Sequence, residues 1–139
     1  AAEAGDLVLA RQHLRWFADA ELRNLPHDTN RFLGLSVLAH TAAAVDDPAA
    51  AATIGTLLEP YDGQWVVLSC YGGGGATWGP VSHALGLAAA TQGRAVTARS
   101  YLERAAVEAG PTAPDADRIE RALSRGSSGT AAEFPRRRP

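Results

Sequence analysis

Residues 85–111 read LGLAAATQGRAVTARSYLERAAVEAGP. Two stretches at helical spacing flank Gln92-Gly93, and Gly110-Pro111 stops the second. Gly86 on the first stretch and Ala98 on the second are small where two antiparallel helices would cross, and Gly93 permits the left-handed turn between them. Leu102 is placed to fill the gap to the next hairpin, and Ala105 to let the following helix approach closely. The pattern also stands 47 residues upstream, where Leu38, Ala39, Ala42, Asp46, Ala51 and Leu58 align with Leu85, Gly86, Ala89, Gly93, Ala98 and Ala105. A helix pair of this kind cannot bury its apolar face alone and has to stack on neighbours.

Working outward, Asp6 is a good N-cap for a helix to about Leu22, with Leu7, Ala10, Leu14 and Phe17 on one face. Pro26 ends that segment. Asp28 or Thr29 can cap a second helix through about Val45, with Phe32, Leu35, Leu38, Ala39 and Ala42 inward. Asp46-Asp47-Pro48 is a turn, and Pro48 suits the first position of a third helix to about Glu59. Residues 64–70 have the length and β-branched content of a buried strand. No second convincing strand stands near them, so an extended or irregular link is expected rather than a sheet. Pro80 opens a fourth helix to about Gln92. A fifth spans about Val96 to Ala109, and a shorter sixth Asp115 to Arg125. After it, GSSGTAAEFPRRRP has no periodicity and reads as disordered.

Composition narrows the classes. The chain has 139 residues, a formal charge of −2 and 46% hydrophobic residues, with aromatics at only 6%, so small alanine-rich helices must do the packing. The slight acidic balance argues against a dedicated nucleic-acid binder. All 13 basic side chains are arginine, which excludes a Schiff-base or phosphate-loop lysine within these residues. Acids outnumber arginines up to Tyr61, whereas arginines outnumber acids from Pro111 onward. One cysteine, Cys70, excludes an internal disulfide and fits a reducing cytoplasm. No run approaches a membrane span, and the first residues lack the layout of a signal peptide. Methionine is absent even at position 1, as expected of a fragment of a longer protein.

The small–turn–small unit at 85–111 carries the pattern of a tetratricopeptide repeat. Ala89 stands where that repeat usually has an aromatic, and the insertion at 60–79 accounts for the length beyond the standard of about 34 residues. The succession LLEPYDGQWVV, GGGGATWGPVSHALGLAAATQGR and ARSYLERAA resembles the helical-repeat region of large actinobacterial regulators, over about residues 6–125. Those proteins carry a signal-transduction-type ATPase ahead of the repeats, and some an adenylate-cyclase-like or LuxR-type DNA-binding domain. The resemblance implies a non-catalytic region that senses, regulates or binds partners. The ATPase, cyclase and DNA-binding parts are missing here, so none of those activities carries over.

Residues 71–80, YGGGGATWGP, invite a catalytic reading. Gly74 and Gly79 have phosphate-loop spacing, but Pro80-Val81 replace the lysine and hydroxyl. The dinucleotide fingerprint fails in every register. An oxyanion loop of a hydrolase is the nearest rival, with Tyr71 in the histidine position, yet it demands a nucleophile elbow and βα alternation that the sequence lacks. The glycine run therefore reads as a link. Trp65, Tyr71 and Trp78 flank it, either packing the insertion against the helices or contacting a ligand. Cys70 reads as an inert thiol, with no basic neighbour in sequence. His13, His27, His40 and His83 show no metal-ligand spacing, so no metal and no cofactor is expected.

In the repeat register His40 and His83 fall on the first helix of a unit, where tetratricopeptide arrays line their concave groove. Ser36, Leu87 and Thr91 share that face. These residues, with Tyr71 and Trp78, are the candidate binding set.

The expectation is thus an all-α domain of antiparallel hairpins stacked as a tetratricopeptide-like right-handed solenoid of about six helices. Its helical-repeat domain covers 1–125, with hairpins at about 6–45, 48–59 with 80–92, and 96–125; a disordered tail follows at 126–139. Its first and last helices expose apolar stripes. The expected function is a cytoplasmic, non-enzymatic interaction or regulatory module that takes a protein or peptide partner or a second copy, without contacting nucleic acid or membrane. A small-ligand sensor with a pocket near the Gly72–Gly75 loop is the alternative, and a hydrolase using that loop the third.

Overall fold

The computed structural model describes residues 6–20, 22, 25, 30–69, 75–111 and 116–128. Among them it is mostly helical, with six helices and one small two-stranded sheet. The order is α1 (Leu7–Asp19), α2 (Arg31–Val45), α3 (Pro48–Leu58), a 3₁₀ turn (Glu59–Tyr61), β1 (Trp65–Ser69), β2 (Gly75–Pro80), α4 (Val81–Thr91), α5 (Ala95–Ala109) and α6 (Ala116–Ser128). No described helix is long and apolar enough to cross a membrane.

Local chemistry sets most boundaries. The Asp6 carboxylate accepts from the Leu9 amide at 3.0 Å and starts α1. The Asp47 carboxylate accepts from the Ala50 amide at 3.0 Å, with Pro48 at the first position of α3. Replacing Asp47 with Ala is expected to cost about 1 kcal/mol, read as a shift in urea midpoint. Asn30 occupies the cap position of α2; Asp28 and Thr29, the expected caps, lie outside the described residues.

Two helix boundaries differ from the sequence reading. Helix α1 stops at Asp19, short of Leu22, whose amide bonds back to the Phe17 carbonyl at 2.9 Å with φ at +59°. That reversal turns the Leu22 side chain into the core. Helix α6 runs to Ser128, past the expected end of the sixth helix at Arg125, and Ile119 near its start is buried.

The largest difference is in the insertion, which forms an antiparallel hairpin rather than an unpaired link. Its second strand, GATWGP, escapes notice because glycine and proline outnumber β-formers in it. Pairing supplies the backbone partners that an isolated strand would lack. The register places Val66 opposite Gly79 and Val67 opposite Thr77, so Trp78 is an extra, bulged residue. Val66 plugs the core, and the Val81 amide bonds the Gln64 carbonyl at 2.9 Å, tying the hairpin base to the start of α4.

The core centres on α4, which packs against α2, α3 and α5, while α1 packs on α2 and α6 on α5. Positions 47 apart share their backbone roles. Asp46 and Gly93 both have left-handed φ, at +54° and +72°. The next amides close the same bond, Asp47 to the Ala42 carbonyl at 3.0 Å and Arg94 to the Ala89 carbonyl at 2.9 Å. Leu38, Ala39, Ala42, Ala51 and Leu58 are buried, as are Leu85, Gly86, Ala89, Ala98 and Ala105. Leu102 packs against Gly86 of its own helix pair and also lines the cleft that α6 walls. A Cβ at Gly93 would meet nothing within 4 Å, so Gly93→Ala isolates the conformational penalty. It is expected to cost about 1 kcal/mol in a urea titration.

Candidate functional site

The face that brings side chains together runs along α2 and α4. His83, Leu87 and Thr91 lie four residues apart on α4, and Val37, His40, Thr41 and Ala44 line the same cleft from α2. Opposite them stands α6, whose Arg118, Arg121 and Arg125 recur on one face. Between the three helices lies a cleft of about 650 Å³, with Trp78 of the hairpin closing one side. The bulge explains that placement: an unpaired residue in a strand re-aims its side chain, here toward His40 and α6.

The aromatic groups make an edge-on cluster. The His40 and His83 rings lie 4.8 Å apart at 89°, and His40 meets Trp78 at 6.1 Å and 87°. The Arg118 guanidinium sits over the Trp78 ring, 4.6 Å from its centre. His83 is buried and His40 half-buried. Burial, with the Arg118 charge as the lesser cause, pushes the His40 pKa down to about 4. Burial again leads for His83, followed by His40 and Arg118, and lowers it to about 3. Both imidazoles are therefore neutral near pH 7. Neither makes a hydrogen bond to a described residue, so each keeps one donor and one acceptor for a guest. The Thr41 and Thr91 hydroxyls instead donate to the Val37 and Leu87 carbonyls of their own helices, each at 2.9 Å.

The candidate set divides clearly. His40, His83, Leu87, Thr91 and Trp78 line one cleft. Ser36 does not: it is 1% exposed, and its hydroxyl is buried with no partner. One turn before His40 on α2, it points into the packing rather than the opening. Tyr71, Cys70, His27 and Gly72–Gly74 lie outside the described residues. Gly75 opens β2 and is not among the described residues lining the cleft between α2, α4 and α6, whereas Trp78 is; the rest of the glycine loop lies outside the described residues. The parallel strands required by the hydrolase reading are not among the described elements. No cluster of three or more His, Cys, Asp or Glu suited to a metal occurs among the described residues.

Sequence reasoning missed Arg118, Arg121 and Arg125. Their i, i+3, i+7 spacing was a legible signal of one helical face, hidden because the arginines of this region read only as a charge surplus.

No protein-family model, curated protein or solved structure matches the chain.

Proposed function

We propose that the chain is a non-catalytic interaction or regulatory module, a tetratricopeptide-like stack that receives a peptide segment of a partner in the α2/α4/α6 cleft. One observation carries this reading. In the 47-residue register α2 and α4 are each the first helix of a helix–turn–helix unit, α6 follows as the next, and these three wall the cleft. First helices of stacked units are where such arrays present a concave binding surface. On the resemblance of its sequence, the module belongs to a cytoplasmic bacterial signalling or transcription regulator.

Selection of random twelve-residue peptides against the chain tests the reading. Binders should lose at least tenfold in affinity for Val37→Trp, which fills the cleft from an exposed position of α2. Binders that ignore this variant would place recognition elsewhere.

A second reading is a small-ligand sensor using the same cleft, favoured by its volume of about 650 Å³ and by the two imidazoles in its wall. Self-association has its own support in α1, which exposes Leu7, Val8, Leu9 and Trp16. If that stripe pairs two copies, Trp16→Glu should abolish concentration-dependent sedimentation.

A further inference from the structure

The cleft has an electrostatic imbalance. Arg118, Arg121 and Arg125 line it, and none of them has a carboxylate partner among the described residues. The arginines of α5 contrast with them: Arg99 pairs with Glu103, and Arg104 with Asp62 and Glu108. Asp46, at the end of α2, is the one acid among the described residues that line the cleft, against three guanidinium groups. From Arg118 to Arg125 the cationic row spans about 10 Å along the helix. Facing it are apolar side chains, Val37 and Leu87, and the Trp78 indole.

A guanidinium is a fixed fork of donors that matches a carboxylate in two parallel bonds, and partial enclosure strengthens such bonds. A volume of about 650 Å³ is small-molecule in scale. We propose that this cleft binds a small organic anion, with a carboxylate held by the α6 arginines and a flat apolar body lying against Leu87, Val37 and Trp78. His40 and His83, at the inner end, each offer one N–H or one lone pair to polar groups on that body. Because α6 supplies the cations and α2 and α4 the apolar wall, the ligand bridges α6 to the core. The inference rests on the second, small-ligand reading of this cleft, and it names the ligand class.

Calorimetric titration of the full chain with 1-naphthoate tests it. Saturable one-site binding is expected, and naphthalene-1-carboxamide, the same ring without the charge, should bind at least tenfold more weakly. The double variant Arg121→Ala, Arg125→Ala changes two exposed residues and should retain its helical circular dichroism while losing at least tenfold in naphthoate affinity. Equal affinity for acid and amide, unchanged affinity in the double variant, or no saturable binding overturns the inference. If naphthoate fails while peptides selected on the chain still lose affinity for Val37→Trp, the cleft remains a partner site and only the organic-anion assignment falls.

Discussion

Gly86→Val is expected to destabilise the chain by about 2 kcal/mol, through contact with one side chain, Leu102. A Cβ built at Gly86 would stand 2.7 Å from both Cγ and Cδ2 of Leu102 and 3.3 Å from its amide nitrogen. Leu102 is itself buried, and its amide nitrogen, being backbone, cannot turn aside as the side chain could toward the cleft that it lines. Overpacking of this kind costs about 1–3 kcal/mol. Removing a glycine from a helix interior returns up to about 1 kcal/mol, which is less than the clash takes. Leu102→Ala alone is expected to cost about 2–5 kcal/mol by leaving a cavity. The double variant should cost less than the sum by at least about 1 kcal/mol, because valine then fills part of that cavity. Urea titrations at constant m-value measure the cycle. Additive effects would mean that α4 and α5 do not meet through this pair.

Acidification is the second large effect, and its sign follows from the two imidazoles. An unfolded histidine takes up its proton near 6.5, whereas folded His40 and His83 do so only near 4 and 3. Between these values the unfolded chain holds more protons, so stability is present above pH 6.5 and is lost as pH falls. Each imidazole contributes a slope of about 1.4 kcal/mol per pH unit. The pair should therefore remove about 3–4 kcal/mol between pH 6.5 and 5. The double variant His40→Gln, His83→Gln should flatten this part of the profile. Proton-sensitive imidazole resonances give an independent check: two histidines should stay neutral at pH 5. A profile equally steep in both proteins would show that the rings are solvated rather than packed against Trp78 and Arg118.

The parts of the fold legible in the sequence are those fixed by short-range chemistry. Asp6, Pro48, Gly93 and Gly110 mark helix ends because capping and left-handed turns depend on one or two residues. The 47-residue register was legible because packing demands small residues at crossings and a left-handed residue at each turn, met by Asp46 in one unit and Gly93 in the other. The hairpin was not, because GATWGP gains its strand conformation from pairing with β1 rather than from its own propensity. The site was legible on α2 and α4, where the register puts His40, His83, Leu87 and Thr91 on one face. Its third wall was not. The position of α6 depends on burying Ile119, a tertiary contact that neither the composition nor the charge of residues 111–125 reveals. Ser36 failed for a related reason. It lies one turn from His40 on α2, yet its hydroxyl is buried in the packing.

Everything proposed for this chain requires that it bind through the cleft between the first helices of its units. Mapping amide resonances during titration with a peptide selected on the chain tests it most directly. Perturbations are expected to gather on Val37 and Thr41, on Leu87 and Thr91, on the Trp78 indole, and along the Arg118–Arg125 face of α6. Perturbations confined to the Leu7–Trp16 stripe of α1, or to the outer faces of α3 and α5, would contradict it.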